Sequence, residues 1–256
     1  MGSAGDKVYR VPRRSAYVEK DETEARFCAE FAKKCSLGIS IPRLIVDDSI
    51  PIYEMEMMPG RPLTKEIYRG LTVGLKKSVW EQMVIFLREL HDCPVDMDKD
   101  LGVKKYDGVD EWKEVLVQLE EVVFPVVGED IKRAVSRRFE DFFELTANCE
   151  ILYTVIHGDF APEHIWLGDR GEIGVIDFAD MHIYDPAYDL RVEYCYGQEF
   201  LDYFYGKYDA DDNFEVRRSF YEFVRRPRNL RHSILTGSDE VGVQMRQLEE
   251  ECQKYG

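Results

Sequence analysis

The sequence predicts a mixed α+β chain, β-rich over residues 1–60 and mainly helical over 61–256. Three observations carry that prediction. Short β-type runs at 7–11, 39–46 and 50–57 crowd the first part and are punctuated by proline and glycine. At 75–91, Val79, Met83, Phe86, Leu87 and Leu90 fall on one helical face, and further helical patterns follow. Between the helical patterns, 151–189 holds two apolar runs that each end on a carboxylate. Residues 151–156 run into His157-Gly158-Asp159, and 172–176 run into Asp177-Phe178.

In chain order, KVYRV at 7–11 reads as a strand ending at Pro12. The helix expected at 22–34 gathers Phe27, Cys28 and Phe31 on one face, with Asp21 or Thr23 as its cap. Two strands follow at 39–46 and 50–57, and Met58-Pro59-Gly60-Arg61-Pro62 breaks the pattern. After the helix at 75–91 come helices at 107–121 and 129–145, separated at Pro125. Their alternating charges read as solvated faces. Beyond 189, helices are expected at 193–208, which is rich in Tyr and Phe, at 214–226 and at 236–255.

Composition bounds the function. A chain of 256 residues with 45% hydrophobic content can bury a substantial core. No apolar run reaches the roughly 20 residues that span a bilayer, so no membrane partner is expected. The start, MGSAGDKVYR, lacks the apolar stretch of a signal peptide. The six cysteines are scattered with no C-x-x-C pair, which argues against a zinc ribbon or a disulfide framework and suits a reducing cytoplasm. The histidines show no H-E-x-x-H spacing. A net charge of −16 argues against nucleic acid and would steer a cationic ligand, although it equally serves solubility.

The spacings in 151–189 point to chemistry. His164 follows Asp159 by five residues and Asp177 follows by eighteen. Protein kinases place a catalytic Asp, a metal-binding Asn five positions later, and the metal-binding Asp of D-F-G on a following strand. Here the pattern reads H-G-D-x-x-x-x-H and then D-F-A-D. His157 reads as a buried hydrogen-bonding support for the loop, and Asp189 as its brace.

These motifs resemble the aminoglycoside phosphotransferase family of small-molecule kinases. The family signature H-G-D-x-x-x-x-N, then I-D-F/W, is present as His157-Gly158-Asp159 and Ile176-Asp177-Phe178, with His164 in place of Asn. That replacement and the phrase D-F-x-x-x-H-I resemble the 2''-aminoglycoside branch and the related macrolide kinases. The resemblance implies a bilobal protein-kinase-like fold, with a truncated β-rich N-lobe over 1–60 and a mainly helical C-lobe over 61–256. It implies transfer of phosphate from ATP or GTP, with Mg²⁺, to a hydroxyl of a cationic small molecule. An aminoglycoside antibiotic leads, as in a resistance enzyme. A macrolide or metabolite kinase, or a degenerate kinase-like binding protein, is the alternative.

By the same resemblance Asp159 is the catalytic base, and His164 and Asp177 are metal ligands. Because Mg²⁺ prefers oxygen, His164 either binds the ion or places a metal-bound water or a phosphate oxygen. Arg10, in a phrase Y-R-V-P-R like the family's F-K/R-F-P-K/R strand, is the base that pairs with Glu24 of the first helix over the nucleotide phosphates. Lys20 is too near Glu24 in sequence to serve and reads as a surface charge. Glu56, Met57 and Met58 form the hinge that meets the nucleobase. His91 ends a helix in L-H as in the family and reads as structural. The acceptor would meet carboxylates among Glu163, Asp180, Glu193, Glu199, Asp202, Asp239 and Glu240, each of which alone reads as a surface charge. Only nine residues precede Arg10 where the family has two strands and a phosphate-covering loop, so a shortened N-lobe is expected, with Gly2-Ser3-Ala4-Gly5 as a loop remnant or a flexible tail.

Overall fold

Short strands and one long helix frame the region around Asp159 and Asp177. The computed structural model describes residues 7–11, 18–46, 51–94, 101–106 and 108–254. Gly2 to Gly5, Pro12, Ile50, Asp107 and Tyr255, on which sequence expectations fall, lie outside the described residues, as does the side chain of Glu193. The chain divides into two compact units, 1–105 with 153–210, and 106–152 with 211–256. The boundary expected near residue 60 falls inside the first of these.

The first unit runs β1 (Lys7–Arg10), α1 (Val18–Phe31), β2 (Gly38–Ile39), β3 (Arg43–Val46), β4 (Ile52–Glu56), β5 (Arg61–Pro62), α2 (Lys65–Arg69) and α3 (Val73–His91). It resumes with β6 (Thr154–Ile156), β7 (Ile165–Leu167), β8 (Ile173–Val175) and β9 (His182–Tyr184), then short helices Glu193–Tyr196 and Gln198–Tyr205.

Strand β4 pairs antiparallel with both β1 and β3. Val8 lies opposite Met55, and Arg10 and Leu44 lie opposite Tyr53, so these five side chains share one face. Tyr53 and Met55 are buried there, whereas Val8 is 45% exposed and Leu44 39%. The other face carries Lys7 and Arg43, both paired to Glu54, at 2.6 and 3.1 Å.

The run expected as one strand at 39–46 divides between two sheets. Its first half, β2, joins β8 in parallel, and its second half, β3, joins β4. Pro42 stands between them and cannot donate to a ladder. Strand β8 continues through β7 to β5, and β6 pairs with β9. Gly60, at φ 99, packs so close to the end of β7 that a Cβ there would lie 2.1 Å from the Leu167 carbonyl oxygen.

Helix α1 begins before the expected residue 22, so Asp21 and Thr23 lie inside it and neither caps it. The earlier start completes a stripe of Lys20, Glu24, Phe27 and Phe31, spaced as one helical face requires. Phe27, Phe31, Phe86, Phe160 and Phe178 then form the aromatic core beneath the site, with ring centroids 5.5–6.2 Å apart. Helix α3 buries the predicted Val79, Met83, Phe86, Leu87 and Leu90 and is capped by Thr72, whose hydroxyl accepts from Leu75 N. The single helix expected at 193–208 is interrupted at Gly197, which takes φ 75.

In the second unit, helices Gly108–Val122, Glu129–Asn148, Phe214–Thr236 and Val241–Lys254 surround Trp112, Phe139, Phe142, Phe220 and Tyr221. Phe142 and Phe220 stack at 3.9 Å. The helix expected to stop at Arg226 runs on through a buried Pro227 to Gly237, which caps it at φ 64. Phe223, Pro227 and Leu230 are all buried, and this continuing apolar stripe offsets the lost backbone hydrogen bond.

Candidate active site

The residues after β6 are held almost entirely by backbone donors. Asp189 accepts hydrogen bonds from the amides of His157 (2.8 Å) and Gly158 (2.9 Å). The Asp159 amide donates to His157 Nδ1 at 3.3 Å, while His157 Nε2 donates to the Ile176 carbonyl at 3.1 Å. That pattern makes His157 a neutral imidazole. Burial pushes its pKa below the ordinary 6.5, since no water reaches the ring to solvate a charge. Burial pushes the Asp189 carboxyl up, but His91, 3.3 Å away, and the His157 amide hold it below its ordinary value. His91 Nδ1 is also 2.7 Å from the Tyr208 hydroxyl. His157, Asp189 and His91 thus stand where the sequence places them, as supports.

Gly158 takes φ 81, and a Cβ there would lie 2.1 Å from the Asp180 carbonyl oxygen. Only glycine permits the two loops to approach so closely. Asp177 is the one positive-φ residue other than glycine among the described residues, at φ 64 and ψ 68. Such backbone persists only when its surroundings over-determine it. Here the Phe178 amide donates to Glu24 at 3.2 Å, and the Phe178 ring is fully buried, 4.7 Å from the His157 ring.

His164 joins the two strand ends. Its Nδ1 donates to the Asp159 carbonyl at 2.8 Å and lies 3.5 Å from Asp159 Oδ2. With Nδ1 occupied, the Nε2 lone pair faces Asp177 Oδ2 at 3.6 Å. Two carboxylates eighteen residues apart in sequence therefore converge on one imidazole. Both are about half exposed, at 46% and 42%. Among the described residues no group of three or more His, Cys, Asp or Glu side chains is placed to hold a metal ion. A carboxylate oxygen beside an imidazole nitrogen leaves positions open for waters and phosphate oxygens, as a bound Mg²⁺ would need.

Arg10 reaches this region from β1. Its guanidinium pairs with Glu24, lies 3.3 Å from Asp21 and extends Nη2 to Asp177 Oδ1 at 3.4 Å. Burial pushes the Glu24 and Asp21 carboxyls above their ordinary values, against the pull of Arg10. Sequence reasoning assigned Asp21 only to a cap. It sits three residues before Glu24 on the same helix, a spacing that brings two side chains to one partner once the helix start is known. Lys20 pairs with Asp180 at 2.5 Å, both partly exposed.

Of the other expected residues, Glu56 ends β4, Met57 is exposed, and Met58 packs over Gly174 and Gly38. Glu163 lies on the 3-10 turn beside His164, Glu199 on the first turn of Gln198–Tyr205, and Asp202 accepts from Gln198 at 2.9 Å. Asp239 and Glu240 lie in the second unit, on the exposed turn after Thr236. All six cysteines are free, and burial pushes the Cys93 and Cys252 thiols to about 11 and those of Cys35 and Cys195 to about 12. Thiols so reluctant to ionise make poor nucleophiles.

Two acid-tipped strands beneath an arginine–glutamate pair define a kinase-like phosphotransferase fold, and solved structures share it. The GDP complex of a mutant aminoglycoside 2'-phosphotransferase-IIIa matches with TM-score 0.87 at 21% identity, over 98% of this chain and 86% of that one. The GDP and kanamycin complex of a 2''-aminoglycoside phosphotransferase matches at 0.84 and 22% identity, over 98% and 88%. The apoenzyme of a macrolide 2'-phosphotransferase from Brachybacterium faecium matches at 0.68 and 16%, over 95% and 84%. No curated protein sequence matches. Residues 2–222 match the phosphotransferase enzyme family, and the chain belongs to it.

Proposed function

We propose that this phosphotransferase moves the γ-phosphate of ATP or GTP to a hydroxyl of a small, positively charged molecule, with an aminoglycoside as the leading acceptor. The convergence of Asp159 and Asp177 on His164 carries this reading. Asp159, exposed and fixed by its backbone, orients the acceptor hydroxyl and takes its proton late, because a loose transition state asks little of a base. Asp177 Oδ2 and His164 Nε2 would hold Mg²⁺, which when bound offsets charge on the phosphate oxygens. Arg10, braced by Glu24, faces the phosphates. The backbone of Glu56 to Met58 meets the nucleobase, and the exposed Val8 and Leu44 offer it an apolar face.

In this reading residues 1–60 serve the nucleotide and 61–256 carry the catalytic loop and acceptor site. Carboxylates among Glu163, Asp180, Glu199 and Asp202 would pair with acceptor ammonium groups, and the charge of −16 would draw such a molecule in. The GDP and kanamycin bound by structural neighbours support the choice of ligands. No helix among the described residues is long and apolar enough to cross a membrane, which is compatible with action in the cytoplasm.

The test is mass spectrometry of an aminoglycoside and macrolide panel after incubation with ATP or GTP and Mg²⁺. One added phosphate on an aminoglycoside is the expected product. Phosphate on a macrolide alone would reassign the acceptor, as the macrolide-kinase neighbour allows. Thermal stabilisation by ligands without product from any acceptor would leave a binding protein instead.

A further inference from the structure

We infer that Asp21 is a positioning residue of the phosphate site, the second acid of a clamp that fixes one guanidinium nitrogen of Arg10 and leaves the other free to work. This rests on the reading above, in which Arg10 faces nucleotide phosphates.

The geometry divides the guanidinium into two halves. Nη1 is held by Glu24 and by Asp21 Oδ1 at 3.3 Å. Nη2 points the other way, to Asp177 Oδ1 at 3.4 Å. Both holding acids are on α1, three residues apart, and both are buried, Asp21 at 5% exposure and Glu24 at 1%. Asp177 is 42% exposed and is the proposed metal ligand. With Asp177 engaged elsewhere, Nη2 would be free to exchange that carboxylate for a phosphate oxygen while Nη1 stayed in place. A planar fork can do both tasks at once. A lysine would have to serve acid and phosphate from one nitrogen, so its acids and the phosphate compete for the same three N–H donors.

Asp21 itself shows that packing alone does not explain it. Its second oxygen, Oδ2, is buried without a hydrogen-bond partner. A buried carboxylate with one orphaned oxygen is unfavourable for folding, and such groups call for another reason. Burial also pushes its carboxyl above the ordinary value, so the site holds its charge against a desolvation cost. Contact with Arg10 is the return the structure shows.

The experiment is calorimetric titration of Mg²⁺ with a non-hydrolysable ATP or GTP analogue into wild type, Asp21→Asn, Arg10→Lys and the double variant, with thermal unfolding of each protein alone. Asp21→Asn should weaken nucleotide binding about tenfold, as loss of one charge-assisted hydrogen bond implies. Its unfolding temperature should stay level or rise, and the KM for the acceptor should not move. In the Arg10→Lys background, Asp21→Asn should change nucleotide affinity less than twofold, because with one nitrogen there is no second one for Asp21 to keep free. An Asp21→Asn protein that binds nucleotide within twofold of wild type overturns the clamp, as does an equal loss in both backgrounds. If wild type binds neither nucleotide, the functional reading fails and the clamp with it. Wild-type binding with an indifferent Asp21 removes the clamp alone.

Discussion

The two acids at the strand ends are anchored by different means, and the contrast tells which part of the site is fixed. Around Asp159, the amides of 157–159 donate to Asp189 and to a neutral imidazole, two acceptors that are themselves buried. Around the Asp177 carboxylate, the contacts are side chains, the Arg10 guanidinium on one side and the His164 imidazole on the other, at 3.4 and 3.6 Å and partly open to water. Backbone bonds in a dry setting are insensitive to salt and do not exchange partners. Ion pairs at such distances are screened and can be traded for a ligand. On the proposed reading, the Asp159 side is therefore built before substrate arrives, and the Asp177 side completes itself on the substrate.

Four substitutions probe that contrast. Asp159→Ala should lower kcat by about 10²–10⁴-fold, the usual range for a positioned proton acceptor, with unfolding temperature unchanged. Steady-state turnover on whichever acceptor the panel identifies decides it, and retained turnover would remove Asp159 from the mechanism.

Asp189→Ala should cost about 3–5 kcal/mol of stability, because it strands two buried amides and His91. Denaturant unfolding reads it directly; a loss below about 1 kcal/mol would show that water replaces the carboxylate.

His157 predicts a pH effect of definite sign. Its folded pKa lies below 6.5, so the unfolded chain takes up the proton first. Its contribution to stability is complete above 6.5 and declines as pH falls toward the folded value, by about 1.4 kcal/mol per pH unit at most. Asp21 and Glu24, with raised pKa values, act oppositely in the acid range, so the difference between wild type and His157→Gln isolates the histidine. Parallel curves for the two proteins between pH 6.5 and 5 would contradict its neutral buried state.

The smallest effect belongs to Lys20→Ala, which breaks an exposed pair with Asp180 and should cost about 0.5 kcal/mol or less, fading with added salt. A larger, salt-independent loss would mean that the Asp177 side is as fixed as the Asp159 side.

How much of this was legible in the sequence follows from which forces leave a pattern. The buried faces of α1 and α3 repeat with the helical period, so Phe27, Phe31, Met83 and Phe86 could be read directly. The Asp159, His164 and Asp177 constellation could be read because its spacing is set by two strands and a turn. Strands β5, β7 and β9, of two or three residues each, are too short for any period to register. Pro227 stops a helix by local rules, yet the buried stripe through Phe223 and Leu230 continues past it. Asp21 was missed because a carboxylate near a helix start serves equally as a cap. Only the fold reveals that a guanidinium from a distant strand lies against it.

The close fit at Gly158 has a bearing on how such a protein could change. One missing methyl group lets the turn carrying Asp159 nestle against the carbonyl of Asp180. Any larger residue at 158 would shove the neighbouring turn sideways and spoil both strand tips together. On the proposed reading, drift toward new acceptors then proceeds through outlying side chains such as Glu163, Glu199 and Asp202, while this junction stays frozen. Randomised libraries should recover glycine at 158 almost without exception, even when selected for a different acceptor.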